Sequence, residues 1–188
     1  MNSVSTLDQP DLIREISEHA LLEAAGLIRL VTGREITIAP VSCGLVTIDG
    51  VHRSLSDASS QQLLIRQALS GSVNGYASLL VAKSCAQDLV RDLLLERPRL
   101  IEMTELEEEA VSEIANILIN CCLENVIELK KQRCGSAVPE VLFGRFPELL
   151  DELTMDSADE MVFHLQAEVS GISKSCPVVL LFAAGLFV

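Results

Sequence analysis

The feature that most constrains this chain is an internal repeat. Ser70-Gly71 and Ser170-Gly171 stand a hundred positions apart, each inside a strand–turn–strand pattern. VNGYASLLVA, starting at Val73, aligns at that offset with SKSCPVVLLF, starting at Ser173. Upstream, REITIAP from Arg34 to Pro40 aligns with RCGSAVP from Arg133 to Pro139 at an offset of 99. Each copy runs through a long helix, a turn ending in proline and a β-hairpin. The shared element order carries the duplication better than the residue matches do. For 188 residues, this predicts one α+β domain over 1–188, with halves at about 11–97 and 104–188. The pseudo-duplicated helix-plus-hairpin halves form a mixed sheet packed against long helices.

Within the first half, helical periodicity covers 12–31, with Asp11 as N-cap and Gly33 as stop. Two short β-like runs follow at 35–39 and 44–48, then a polar loop over 54–60. Strands at 63–69 and 76–81 flank SGSVNG, a hairpin signal, and Gly71, Gly75 and Gly44 read as turn residues. A helix over 86–95 is stopped by Pro98. The second half opens on the longest helix, 104–131, where Thr104 and Glu107 make a capping-box pattern. Its acidic first turns and Lys130-Lys131 suit the two ends of the helix dipole. A Gly/Pro-punctuated stretch then holds one or two helical turns at 147–153, before strands at 161–169 and 178–186. The second half has no counterpart of the 86–95 helix.

A net charge of −13 opposes binding to nucleic-acid phosphates or to an anionic membrane surface. It suits a protein partner with a Lys- or Arg-lined surface. The start, MNSVSTLDQPDL, lacks the basic and apolar regions of a signal peptide. The most apolar run, 177–188, is shorter than the roughly 20 residues of a membrane helix. A soluble, cytoplasmic protein is expected. Six cysteines without a CxxC, and three dispersed histidines, predict no metal site, with the cysteines serving as small buried hydrophobes. Vicinal Cys121–Cys122 is a minor redox alternative. His52 and Arg53 read as a surface loop pair, and His164 as a structurally satisfied strand residue. No G-x-x-x-x-G-K-[ST] loop occurs.

On the longest helix, Glu109, Glu113, Asn116 and Asn120 project within one narrow stripe. Val111, Ile114, Leu118 and Cys122 project oppositely, and Ile117, Ile119 and Cys121 widen the apolar surface. Most of the helix is therefore expected in the core, leaving a thin line of acids and amides. Such a line can be an ordinary solvated edge. Two mid-helix asparagines are an unusual choice for one, since Asn is a poor helix former.

Glu109-Ala-Val-Ser-Glu113-Ile-Ala-Asn116, followed after 22 residues by Pro139, resembles the signature of the CheC/CheX/FliY chemotaxis phosphatases. That signature is Asp or Ser, three residues, Glu, two residues, Asn, 22 residues, Pro. The duplicated layout is also the family's. The resemblance implies hydrolysis of the aspartyl phosphate on a CheY-like response-regulator receiver domain. It assigns Asn116 to orienting water and Glu113 to anchoring the receiver's lysine, with Glu109, Asn120 and Pro139 supporting. No cofactor is implied on this chain, because the receiver supplies the Mg²⁺. Position 109 departs from the pattern by being Glu. In the first half Arg14 and Ser17 stand opposite Glu113 and Asn116, so one active helix is expected. The alternative is a non-catalytic CheC-like adaptor or a module that forms a homodimer through its sheet edges.

Overall fold

Two long helices and two hairpins dominate the computed structural model, which describes residues 10–54, 61–94, 102–150, 152 and 161–186. The expected loop at 55–60, the stop at Pro98, the end of the 147–153 turn and the side chain of His52 lie outside the described residues. The first half runs α1 (Pro10–Thr32), β1 (Thr37–Thr47), α2 (Ile48–Ser54), β2 (Gln61–Gly71), β3 (Gly75–Ala82) and α3 (Lys83–Leu94). The second runs α4 (Glu105–Lys130), β4 (Cys134–Ser136), β5 (Glu140–Arg145), α5 (Phe146–Leu150), β6 (Met161–Ser170) and β7 (Cys176–Ala183), ending in a 3₁₀ turn, Ala184–Leu186.

The seven strands form one sheet in the order β1-β6-β7-β3-β2, with both β4 and β5 pairing with β2. Every pairing is antiparallel, which refines the mixed sheet expected from sequence. The duplication is visible in the pairing. β3 and β7 meet at the centre, and each half lends the chain before its own hairpin to the other half's hairpin, β1 to β6 and both β4 and β5 to β2.

The repeated glycines mark the same exchange. Gly71 has φ +117° and Gly171 φ +90°, conformations that side chains resist. A Cβ on Gly71 would lie 2.5 Å from the carbonyl oxygen of Arg133, just before β4. One on Gly171 would lie 2.8 Å from that of Glu35, just before β1. The Ser-Gly repeat is thus where each hairpin accepts the other half's incoming chain.

Both sheet faces are covered, so the central strands are apolar on both sides. α1, α3 and α4 pack on one face over Leu63, Ile65, Leu79, Leu165, Leu180 and their neighbours. On the other face Ile48 and Val51 of α2 and Phe146 and Leu149 of α5 cover Leu64, Leu80, Val162 and Val179. α1 buries Ile13, Ala20, Leu21, Ala24 and Ile28, an i, i+4, i+7 spacing that places one face in the core. α4 is long and apolar enough to cross a membrane by length and composition. Here its apolar residues Val111, Ile114, Leu118, Ile119 and Leu123 are core.

Local differences from the sequence reading have identifiable causes. The helix already contains Asp11, expected as its N-cap. The two runs expected at 35–39 and 44–48 are one strand with a bulge between Pro40 and Ser42, since proline cannot donate a ladder bond. Gly44 lies inside that strand, opposite His164, rather than in a turn. His52 and Arg53 belong to α2, not a loop, and β4 and β5 run through the Gly/Pro-punctuated stretch. These short elements exist because tertiary neighbours pair with or bury them, which periodicity in so few residues cannot report.

Candidate functional site

The stripe on α4 starts from a firmly held helix end. Thr104 Oγ1 accepts from the Glu107 N–H at 3.2 Å, and Glu107 Oε2 accepts from the Thr104 N–H at 2.8 Å. This is the capping box expected from sequence. Glu107 is also buried and paired with Arg91 Nε of α3. Burial pushes its carboxyl up, but the hydrogen bonds and charge of Arg91, with the Thr104 N–H, win and hold it below the usual range. α4 is thereby fixed to α3 at Glu107, just ahead of the stripe. At the far end Lys131 adopts the left-handed conformation that closes the helix, with φ 52°.

Along the stripe, Glu109 and Glu113 are exposed, and Asn116 and Asn120 are half-buried. The two carboxylates make no hydrogen bond or ion pair among the described residues. The two amides are bonded to each other, Asn120 Nδ2 donating to Asn116 Oδ1 at 2.8 Å. Asn116 Oδ1 accepts a second bond, 2.7 Å, from Gln67 Nε2 on β2. Asn120 Oδ1 accepts from Ser136 Oγ of β4 at 3.5 Å. Pro139 is half-buried in the link between β4 and β5. Ser136, the last residue of β4, makes the hydrogen bond to the stripe just before that link.

The site is therefore a helix edge backed by a chain of neutral polar groups. Its outer part is a free carboxylate at Glu113, and one turn on is an amide whose oxygen is tethered inward. The Asn116 Nδ2 end has no partner among the described residues. Such an edge can enter a concave partner surface with an acid and an amide side by side.

Sequence reasoning missed Gln67, which is fully buried. A signal was present. Alternation along β2 puts Gln67 on the same face as Leu63, Ile65 and Leu69, a polar residue at an inward position. α1 offers no equivalent edge. Arg14 is exposed and pairs with Glu18, while the buried Ser17 hydroxyl donates to the Ile13 carbonyl at 2.9 Å.

The remaining reactive groups lie elsewhere. Cys121 and Cys122 are buried free thiols, pushed up to about 11 and about 12, mainly by burial. Among the described residues no three His, Cys, Asp or Glu are grouped to hold a metal ion. His164, expected to be satisfied, is buried with Nε2 unpartnered among the described residues, and burial lowers its basicity.

No protein-family model and no curated protein matches the chain. Its structure is similar to that of Thermotoga maritima FliY, with a TM-score of 0.76 and 21% identity over 98% of this chain and 94% of that one. It is similar to a FliG–FliM complex from H. pylori, with a TM-score of 0.70 and 12% identity over 96% of this chain and 97% of the matched one. The chemotaxis protein CheX from Desulfovibrio desulfuricans gives a TM-score of 0.54 and 14% identity over 88% and 97%. The chain has the fold of the CheC/CheX/FliY family, a fold it also shares with FliM.

Proposed function

We propose that the chain is a phosphatase of the aspartyl phosphate on a CheY-like response-regulator receiver domain, working in the cytoplasm. The observation that carries this is the edge of α4, where the exposed Glu113 carboxylate and the half-buried, tethered Asn116 amide stand one turn apart. An aspartyl phosphate is an acyl phosphate that hydrolyses unaided, so the enzyme's task is to hold water in line with phosphorus. Asn116 holds that water, since an amide hydrogen-bonds water without attacking the phosphorus itself. Glu113 pairs with the receiver's lysine and sets the depth of insertion. Water adds to phosphorus as the bond to the aspartyl oxygen breaks, the water's protons leave with the phosphate and to solvent, and the aspartate departs as its carboxylate, whose charge a Mg²⁺ held by the receiver would offset. The net charge of −13 favours encounter with a cationic receiver surface.

The test is decay of a phosphorylated, Mg²⁺-bound receiver with and without the protein. Acceleration that Asn116→Ala removes supports the reading. No acceleration by the wild-type chain rejects it.

A second reading, a non-catalytic docking module, draws on one specific observation. FliM, in the structure matched above at a TM-score of 0.70, is bound to FliG, and its likeness exceeds that of CheX at 0.54. This reading expects association with a signalling protein, or with a second copy, that survives Asn116→Ala.

A further inference from the structure

We propose that Gln67 is a positioning residue for Asn116, an inference that rests on the phosphatase reading above. Gln67 is fully buried on β2, on the sheet face beneath α4. Nothing in a solvated helix edge requires a buried amide beneath it. Gln67 Nε2 donates to Asn116 Oδ1 at 2.7 Å, while its own Oε1 is buried without a partner among the described residues. A buried polar atom left unpaired carries a desolvation cost, so this residue is not there for core stability alone.

Its chemistry explains the choice of glutamine. In the arrangement described, Asn116 turns its oxygen inward and leaves its NH₂ end outward. Water attacking in line needs its lone pair for phosphorus, so it is best held through its hydrogens, by an outward acceptor. A half-turn of the amides of Gln67, Asn116 and Asn120 supplies one. Asn116 Nδ2 then donates to Gln67 Oε1 and to Asn120 Oδ1, and Asn120 Nδ2 donates to Ser136 Oγ. Both arrangements contain the same hydrogen bonds with donor and acceptor exchanged. The amide at position 67 can hold Asn116 in both, whereas leucine offers neither group and an ionised carboxylate only accepts. Gln67 therefore fixes where the Asn116 side chain stands and permits either end to face the reacting water.

The experiment uses the full chain with Gln67→Met, which keeps the volume and removes both polar groups. Against a phosphorylated receiver, kcat falls about fivefold to tenfold, the worth of one oriented hydrogen bond, while KM stays within about twofold. An unchanged kcat overturns the proposal. So does a rise in KM alone, which would place Gln67 in docking. A second measurement needs no receiver. ¹⁵N relaxation of the Asn116 side-chain NH₂ gives an order parameter near that of rigid backbone, about 0.85, in the wild type and below about 0.6 in Gln67→Met. Equal order parameters overturn the proposal even where the variant folds poorly enough to blur the kinetics. If the wild-type chain leaves receiver decay unchanged, the phosphatase reading fails, and the relaxation pair still decides whether Gln67 pins Asn116.

Discussion

Arg91→Met tests how α4 is held in place. Arg91 and Glu107 are 9% and 3% exposed at their side chains, so solvent screens the pair little. Removing Arg91 leaves a buried carboxylate with the Thr104 N–H, at 2.8 Å, as its remaining strong donor. Loss of one partner from a buried pair costs roughly 3–5 kcal/mol. The first turn of α4 returns up to about 1 kcal/mol through the helix dipole. The expected loss at pH 7 is therefore about 3 kcal/mol. With a urea m-value of about 2 kcal/mol/M, the midpoint falls by about 1.5 M. The pH response gives the sharper check. In the wild type Glu107 is held below its ordinary value, so its contribution is present above about pH 4.5 and is lost as pH falls through the folded value. In the variant the guanidinium is gone and burial prevails, so the folded carboxyl rises above its unfolded value. Protonation then relieves the variant as pH falls, and the gap between the two proteins narrows from pH 7 to about pH 4.5. A midpoint shift under about 0.3 M at pH 7, or a gap that widens on acidification, refutes this account of the pair.

The other predictions concern the site, the thiols and the hairpin turn. Asn116→Ala lowers kcat for receiver dephosphorylation by about 100-fold, the scale of a lost positioning contact, whereas Glu113→Ala acts mainly on KM; stopped decay assays separate the two. With a chromogenic disulfide reagent, the half-buried Cys43, Cys85 and Cys134 react in the native protein. Cys121 and Cys122, buried and raised to about 11 and about 12, react only on unfolding. Gly71→Ala forces a Cβ to within 2.5 Å of the Arg133 carbonyl at φ +117°, and lowers stability by about 2–3 kcal/mol, read by thermal or urea unfolding.

Much of this molecule was legible in the chain itself. Long periodic segments fixed α1 and α4, because sustained periodicity reports a buried face whatever lies against it. Thr104 and Glu107 announced the start of α4, since both partners of a capping box lie within one turn. The Ser-Gly repeat announced two hairpins, and helical spacing placed Glu109, Glu113, Asn116 and Asn120 on one edge of α4, where the two acids are exposed and the two amides half-buried.

Tertiary structure decided what depends on contacts between distant residues. Exchange of β1 and β5 between the halves, and the short α2, α5 and β4, follow from pairing and burial that no local window contains. Arg91 became the partner of Glu107 only when α3 packed on α4. Gln67 and Asn116, 49 positions apart, became one hydrogen-bonded unit only when β2 slid beneath the helix. The sequence by itself determined which faces are apolar and which edge is polar, because periodicity is local. The partners of that edge were decided by the fold, because a buried amide is satisfied by whatever the packed elements bring within reach.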